Sequence, residues 1–402
     1  MTFFKKKRIY ADFAGATPID PSVMKVFVRT LRLYANPHGV SRDSIEARTV
    51  LENSRETVAK HFGMRPQEII FTSGGTEGDN LAIIGLINHF RRNNPGKTPH
   101  IITSAIEHSA VRETCRVLLR DGLITLDEIP VDVHGVIDLQ LFKKTCTRET
   151  VLVSIQYANS EIGTIQPLPE IAKIIRHVKK ESGSVYPIFH TDAAQAVAYC
   201  PIHIPKLGVD LLSSNGGKIY APKQTGILVV KAGTPIDPIL YGGNQEFGLR
   251  AGTVSVAHAA AYAEALSRAT SHKEKESARL RDLQSYIKES FSKISGITFN
   301  STAGDQLPTI VNISVQDVPS DRLLIELDAR GITVSEKSAC KSDDPAPSYV
   351  ITALGHDGAD GSLRISIGVP TTKSEVDRII STSTSIISRI RQEKVTYDIL
   401  NK

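Results

Sequence analysis

Short apolar runs alternate with stretches of helical periodicity along the first 230 residues. The runs are, in chain order, EIIF from Glu68, HIIT from His100, VLVSIQY from Val151, IFHTD from Ile188, VDLLSS from Val209 and GILVV from Gly226. Several are apolar throughout, which is typical of parallel strands that are covered on both faces. Their alternation with helices predicts an α/β domain in which helices flank a mostly parallel sheet.

The pattern changes after Gly252. An alanine-rich segment, VSVAHAAAYAEALSRA, leads into a charged helical stretch, and shorter units follow: TIVNISV, SDRLLIELDARG, ITVSE, SLRISIG and a last helix from Lys373. A chain of 402 residues is long enough to bury two cores. We therefore predict a large domain over residues 18–262 and a smaller C-terminal α/β domain over residues 263–402.

Composition and charge exclude several classes of protein. The net charge of +5 is that of an ordinary soluble surface, so we expect no direct binding of nucleic acid. No run of about 18 apolar residues predicts a membrane span, and no apolar stretch follows the basic start MTFFKKKR as it would in a signal peptide. The cysteines lie far apart without zinc-ligand spacing, which favours free thiols in a reducing cytoplasm. They are Cys115, Cys146, Cys200 and Cys340.

A glycine turn separates one predicted strand from the helix after it, in FTSGGTEGDNLAIIGLI from Phe71. Glycines allow the backbone to turn tightly, and the helix N-terminus offers N–H groups to an anion, to which Thr76 can add a hydroxyl. The spacing is neither that of a P-loop nor that of a dinucleotide-binding turn. These residues alone leave a plain turn and a phosphate site open.

Two further polar residues follow predicted strands. Asp192, in FHTDAAQAV, comes at the carboxyl end of a strand, where α/β proteins bind ligands, although an aspartate there can also cap a helix. Lys218, in SSNGGKIYAPK, follows another strand. A lysine in this place can be a solvated surface charge or the amine of a Schiff base. The residues alone do not decide between these alternatives.

Together the motifs resemble those of the cysteine desulfurases, which are fold-type-I pyridoxal phosphate (PLP) enzymes within the class V aminotransferases. The resemblance covers nearly the whole chain and rests on DFAGATP from Asp12, FTSGGTE, the Glu107-His108 pair, EIG at 161–163, D-x-x-Q from Asp192, K-x-Y-x-P-K from Lys218, GGNQEFGLRAGT from Gly242, and SAC-x-S, PSYV and ALG near the C-terminus. It implies a homodimer with active sites at the subunit interface. It further implies that residues 1–17 join the small domain and that a mobile loop at about residues 336–348 carries Cys340.

The resemblance implies a role for each residue of the cofactor site. Lys218 would hold PLP as a Schiff base and later move the Cα proton of the substrate. Asp192 would pair with the ring nitrogen, Gln195 would bond the phenolic oxygen, and His108 would stack on the ring and help in proton transfer.

At the phosphate, Gly75 and Thr76 would contribute N–H and hydroxyl groups, helped by Thr253 from the partner subunit. Arg364 would bind the substrate carboxylate, a task that suits the two-pronged guanidinium. Asn36 occupies the place of a substrate-side asparagine and could equally be a turn residue.

Three positions depart from the family pattern. Asn215 and Gly217 stand where the family has a serine and a histidine before the lysine, and Ser160 stands where it usually has an asparagine. Asn215 and Ser160 would still face the cofactor, as a phosphate contact and a ring contact. Gly217 contributes no side chain, so the resemblance implies weaker PLP contacts in this chain.

We predict from these motifs a PLP-dependent cysteine desulfurase. It would convert L-cysteine to L-alanine and carry the sulfur as a persulfide on Cys340 to an acceptor protein, such as an iron–sulfur scaffold or a carrier for tRNA thiolation. One alternative keeps the fold and changes the reaction to that of a selenocysteine lyase or another class V PLP enzyme. The other is a degenerate, non-catalytic homologue that acts as a sulfur-transfer scaffold.

Overall fold

The computed structural model describes residues 8–300, 305–336, 348–355 and 362–400. The first part of the chain contains β1 (Ile9–Tyr10), α1 (Pro21–Thr30), α2 (Arg42–Phe62), β2 (Ile69–Thr72), α3 (Gly75–Asn93), β3 (His100–Ser104), α4 (Ser109–Arg120), β4 (Thr125–Ile129), α5 (Leu139–Thr145), β5 (Thr150–Ser154), α6 (Leu168–Ser182), β6 (Ile188–Asp192), α7 (Ile204–Leu207), β7 (Leu211–Asn215), β8 (Gly226–Val230) and α8 (Val256–Ser271).

The second part begins at residue 273. It contains α9 (Lys273–Ser292), β9 (Ile297–Phe299), β10 (Ile310–Val315), α10 (Ser320–Ala329), β11 (Ile332–Thr333), α11 (Tyr349–Ala353), β12 (Ser362–Ser366) and α12 (Lys373–Leu400). Within the described ranges, none of these helices combines the length and the apolar character needed to cross a membrane.

A seven-stranded sheet forms the centre of the first part, in the order β2-β8-β7-β6-β5-β3-β4. β8 is antiparallel to both of its neighbours, and the other neighbouring strands are parallel. Successive side chains of a strand point to opposite faces. Ile69 and Phe71 accordingly join the core beneath α2, α6 and α8, whereas Ile70 joins the core beneath α3 and α4. This confirms the predicted α/β architecture.

β4 is the one strand of this sheet that the apolar runs did not predict. Its sequence, TLDEI, is mostly polar, and three of its five side chains are exposed. β4 lies at the edge of the sheet and pairs only with β3 in the strand order. An edge strand buries less of its surface, and its sequence therefore lacks a continuous apolar run.

The second part packs around an antiparallel sheet of three strands in the order β12-β10-β9. The start of the chain joins it: β1 pairs with β11 in parallel, and Asp12 forms a bridge with Ser366. Ile9 and Ala11 are buried in this core with side chains of α9, α10 and α12. The N-terminal segment thus brings Asp12 and its neighbours between the two parts of the chain.

The chain passes from the larger hydrophobic core to the smaller one at His272, between α8 and α9. Tyr262, in α8, is fully buried in the larger core and donates its hydroxyl to Ser214 Oγ at 2.8 Å. Leu280, in α9, is buried in the smaller core. We therefore propose that the large domain extends to about residue 272, which places the whole alanine-rich helix in it, and that the small domain begins with α9.

Candidate active site

A polar pocket opens where three neighbouring parallel strands end. Asp192 ends β6, Asn215 ends β7, and Ser160 lies in the loop after β5. The pocket brings together most of the residues predicted for a single site: Gly75, Thr76, His108, Ser160, Asp192, Gln195, Asn215, Lys218 and Arg364. Ala14, Gly15, Asp79, Gln156, Ala158 and Ala194 complete its lining. The carboxyl end of a parallel sheet is the usual ligand site of this class of fold.

Lys218 reaches from a short 3-10 helix to the N-terminal segment. Its Nζ donates hydrogen bonds to the carbonyl oxygens of Ala14 at 2.7 Å and Gly15 at 2.6 Å. Gln195 Nε2 also donates to the carbonyl of Ala14, at 2.9 Å. The Asn215 side chain supports the 3-10 helix by accepting the N–H of Gly217 at 2.9 Å. The lysine amine and the glutamine amide therefore meet at one edge of the pocket.

His108 and Glu107 lie between β3 and α4. His108 caps α4, because its Nδ1 accepts the N–H of Ala110 at 3.1 Å. In the neutral ring the proton is then on Nε2. Glu107 is fully buried and accepts hydrogen bonds from the Ser104 hydroxyl and from the N–H of Gln156 at 3.0 Å. Burial raises the pKa of Glu107 to about 8.

Asp79 is a pocket residue that the sequence interpretation missed. It lies on α3, one helical turn after Gly75, and is almost completely buried. The Ser213 hydroxyl donates a hydrogen bond to its Oδ1. One atom each of Asp79, His108 and Asp192 lie within 4.8 Å of one another. A signal was available in the sequence: an acid in the first turns of an otherwise apolar helix that follows a glycine turn.

Arg364 approaches the pocket from β12 of the small sheet. Its Nη2 donates to Asp12 Oδ1 at 2.6 Å, and its Nη1 donates to the carbonyl of Ser160 at 3.0 Å. The side chain is 1% exposed, yet its Nε has no hydrogen-bond partner among the described residues. A buried guanidinium with an unused N–H is equipped to accept a carboxylate ligand.

Three predicted residues lie outside this pocket. Asn36 is exposed, and its Oδ1 accepts the N–H of His38 at 3.0 Å within a surface turn. Thr253 lines a separate depression with Ser73 and Arg250. Cys340 lies outside the described residues. The pocket formed by this chain therefore does not include Asn36 or Thr253.

Comparison with known proteins identifies the family. The chain matches the class-V aminotransferase family over residues 9–379. It is 39% identical over 392 residues to a protein of Dictyoglomus turgidum named cysteine desulfurase IscS, with 96% of each chain covered. It is 36% identical to the mitosomal cysteine desulfurase of Encephalitozoon cuniculi, with 98% of this chain and 90% of that protein covered. The chain belongs to the cysteine desulfurase family of class-V aminotransferases.

Solved structures agree with this assignment. A NifS-like protein of 32% identity superimposes with a TM-score of 0.87 and covers 95% of this chain and 99% of its own. A structure titled SspA in complex with cysteine has 29% identity and a TM-score of 0.76, and the match covers 89% of this chain and 98% of that chain. The mostly parallel sheet with helices on both faces is thus the fold-type-I architecture expected from the motifs.

The groups in the pocket fit PLP, the cofactor that this family implies. Lys218 provides an amine, and Asp192 provides a carboxylate whose Oδ1 already accepts the N–H of Ala194 at 2.8 Å. At the other end, α3 begins at Gly75 without a side-chain cap from the described residues, which leaves its first N–H groups available to a phosphate. Gly74, at φ 154°, adopts a backbone conformation that favours glycine, and a Cβ on Gly226 would lie 2.5 Å from the Gly74 Cα. Both glycines keep this helix end open.

The loop after β5 explains which residue faces the pocket just before the EIG motif at 161–163. Asn159 is buried away from the pocket: its Nδ2 donates to the carbonyl of Ile106 at 3.1 Å, and its Oδ1 accepts the N–H of Glu161 at 2.8 Å. Ser160, the next residue, lines the pocket instead. Asn159 is therefore committed to the turn, and we propose that Ser160 takes the place of the family's asparagine.

Proposed function

We propose that this protein is a PLP-dependent cysteine desulfurase, which converts L-cysteine to L-alanine and transfers the sulfur through a persulfide on Cys340. The observation that carries the proposal is the convergence of Lys218, Asp192, His108 and Arg364 on one pocket in a chain of this family. PLP, when bound, supplies an electron sink for bonds at the substrate's Cα. The protein's own groups must then orient the substrate and move protons.

Each side chain has a task that its surroundings support. Asp192 would hold the proton on the ring nitrogen, and Gln195 would donate its amide to the ring oxygen. Arg364 would bind the substrate carboxylate through its Nε–H, which has no partner among the described residues, while each Nη group gives one of its two N–H donors to Asp12 or to Ser160. Lys218 Nζ would take the proton from the substrate's Cα, and His108 would assist at the sulfur.

The segment that carries Cys340 is attached beside this pocket at both of its described ends. Before it, the backbone N–H of Ser335 donates to Arg364 at 3.2 Å, and that of Arg364 donates back at 2.6 Å. After it, Ser348 donates its hydroxyl to Glu161, next to Ser160. A chain advances at most about 3.6 Å per residue. Cys340, five residues after Ser335, is therefore within chain reach of a substrate held by Arg364.

Sulfur transfer requires Cys340 as a thiolate. The thiolate would form an S–S bond to the substrate sulfur as the substrate's C–S bond breaks. The electron pair of that bond stays with Cβ, which is protonated to become the methyl group of alanine. We propose that the persulfide then passes to an acceptor protein of iron–sulfur cluster assembly or tRNA thiolation.

We further propose a homodimer whose sites include residues of both subunits. Thr253 and Asn36 lie outside the pocket of their own chain, which supports the proposal that they contribute to the pocket of the other subunit. Exposed apolar side chains adjoin Thr253 on the same loop: Tyr241 is 78% and Phe247 53% exposed. Burial of these side chains against a second copy would stabilise the dimer.

We propose that the protein is located in a reducing compartment, the cytoplasm, because its described cysteines are free thiols. Cys115, Cys146 and Cys200 are buried free thiols, and burial raises the pKa of each to about 12. They are therefore protonated and unreactive at neutral pH. Among relatives, some are named mitosomal or mitochondrial.

The proposal is tested by the visible spectrum of the purified protein before and after addition of L-cysteine. We expect a band from bound PLP that changes on addition of cysteine, with release of alanine. Lys218→Ala should lose the resting band and the turnover. Normal sulfide release by Lys218→Ala would exclude it as the Schiff-base lysine.

Cys340→Ser tests the sulfur carrier. This variant should retain PLP and still respond spectrally to cysteine, while desulfuration falls to background because a serine hydroxyl is a poor nucleophile toward sulfur. Mass spectrometry of the wild type should find one extra sulfur on the Cys340 peptide. The buried Cys115 serves as the matched control, and sulfur found mainly there would contradict the assignment.

A further inference from the structure

Two acidic side chains, Asp79 and Asp192, line the pocket, and the buried Glu107 lies near both. The proposed chemistry uses only Asp192, at the ring nitrogen, although Asp79 is 1% exposed and also lines the pocket. A carboxylate oxygen of Asp79 lies within 4.8 Å of one of Asp192 and of a ring nitrogen of His108. Two ionised carboxylates so close in a buried place repel each other strongly.

The groups in contact with Asp79 offer it no positive charge. From β7, the Ser213 hydroxyl donates to it. From β6, His190 Nε2 lies 3.6 Å away and has no hydrogen-bond partner among the described residues. His190 is fully buried, its Nδ1 lies 2.8 Å from Ser154 Oγ on β5, and burial lowers its pKa to about 3, so its ring is neutral.

The remaining titratable groups around Asp79 are His108, Glu107 and Lys218. His108 uses its Nδ1 to accept the N–H of Ala110 at 3.1 Å. Glu107 faces it from the loop before α4, and Lys218 directs its amine to the carbonyls of Ala14 and Gly15. Burial, and then the negative charge of Asp192, raise the pKa of Asp79 well above its usual range. A buried carboxyl group that lies beside another carboxylate and has no cation nearby normally keeps its proton.

We propose that Asp79 is a positioning residue that stays protonated, so that the negative charge of this cluster resides on Asp192 at the ring nitrogen of PLP. The inference rests on the proposed function, since it assigns Asp192 to the cofactor. A neutral Asp79 fills the space behind Asp192 without competing for the ring's proton. Its carboxyl group can also donate a hydrogen bond, which an ionised carboxylate cannot.

Substitution of Asp79 by asparagine and by alanine distinguishes a protonated Asp79 from an ionised one. Asparagine keeps the shape, the neutrality and a donor, whereas alanine leaves a gap and an unsatisfied Ser213 hydroxyl. We expect Asp79→Ala to lose PLP about 10-fold faster than Asp79→Asn during dialysis, measured by the absorbance of the bound cofactor. Equal loss from both variants would mean that a neutral, hydrogen-bonding side chain at this position does not help to retain PLP, and would overturn the proposal.

Infrared spectroscopy of the PLP-free protein at neutral pH tests the proton directly. The wild type should show the carbonyl stretch of a protonated carboxylic acid that Asp79→Asn lacks. Glu107→Gln is the matched control: it should remove a different band, one that in the wild type fades as the pH passes 8. An unchanged carboxylic acid spectrum in Asp79→Asn would overturn the proposal. A wild type that retains no PLP would overturn the proposed function instead, and the infrared comparison would still decide whether Asp79 holds a proton.

Discussion

Two buried arginines, Arg55 and Arg364, each pair with a carboxylate, but they differ in whether the Nε–H of the guanidinium has a hydrogen-bond partner. Arg55 forms a two-pronged pair with Glu246, in which Nη2 lies 2.6 Å from Oε1 and Nη1 lies 2.8 Å from Oε2. Its Nη1 also donates to the carbonyl of Ile69, and its Nε donates to Glu52. Arg364 has one bond to Asp12, one to a carbonyl, and an Nε without a partner among the described residues.

We infer from this difference that Arg55 is a structural cation and that Arg364 is available to a ligand. At Arg55, the carboxylate of Glu246 also accepts the N–H of Phe71 at 2.7 Å, so the pair joins α2, β2 and the loop before Thr253. Burial opposes the charge of Arg55, but the bonds and charge of Glu246 raise its pKa. Arg364, in contrast, lines the pocket, and its partner Asp12 remains 19% exposed. Full pairing is what a structural role of Arg55 requires, and the unpaired Nε of Arg364, a residue that lines the pocket, supports its proposed role in binding a ligand.

The largest expected effect comes from breaking the structural pair. Arg55→Met leaves Glu246 as a lone buried carboxylate, which should lower the free energy of unfolding by about 3–5 kcal/mol. A shift of the urea midpoint measures it. Arg55→Met combined with Glu246→Gln should recover most of the loss, because no unpaired charge remains. A loss below about 1 kcal/mol in the single variant would show that the pair is not the anchor we infer.

The next largest effect is expected at Arg364. Arg364→Lys keeps the charge but loses the planar N–H pattern, so kcat/KM for cysteine should fall about 30-fold or more, mainly through KM. Retention of PLP and the urea midpoint should change far less than in Arg55→Met. If cysteine saturates Arg364→Lys at the wild-type concentration, the substrate carboxylate is bound by another group.

The sequence predicted the strand ends well and the long-range pairs poorly. Asp192 ends an apolar run and Lys218 follows one within a few residues, and a strand end is a local signal by which both could be proposed. The bond between Asp12 and Arg364 joins residues 352 positions apart, and β1, which delivers Asp12, is only two residues long. Motif position named Ser160, whereas the turn hydrogen bonds that hold Asn159 away from the pocket are seen only in the structure. Contacts of this kind follow from the assembled fold.

A pH-dependent effect, smaller over any single pH unit, distinguishes a buried acid that is paired with a cation from one that is not. Glu246 has Arg55, whereas the donors on Glu107 are neutral, and its pKa is raised to about 8. The folded protein therefore binds this proton more tightly than the unfolded chain, and stability should fall as the pH rises from about 4.3 towards 8, by up to about 1.4 kcal/mol per pH unit. Glu107→Gln should flatten this slope in thermal unfolding across the same range, with Glu52→Gln on the exposed side of Arg55 as the control. An unchanged slope would place the titration elsewhere.

The smallest expected effect comes from adding a side chain that could contact the cofactor in the pocket. Gly217, beside Lys218, lacks the side chain that the family has there. A Cβ at this position would lie 3.3 Å from Asn215 Oδ1 and 4.0 Å from Lys223 Cγ, so a larger residue fits if Asn215 moves by a few tenths of an ångström. Gly217→His should slow the loss of PLP in dialysis by up to about 10-fold, which is the low end for one hydrogen bond to a charged group. Gly217→Ala is the control for the backbone change. If histidine retains PLP no better than alanine does, Asn215 and Ser160 already satisfy the cofactor, and the pocket of this chain is adapted to the glycine.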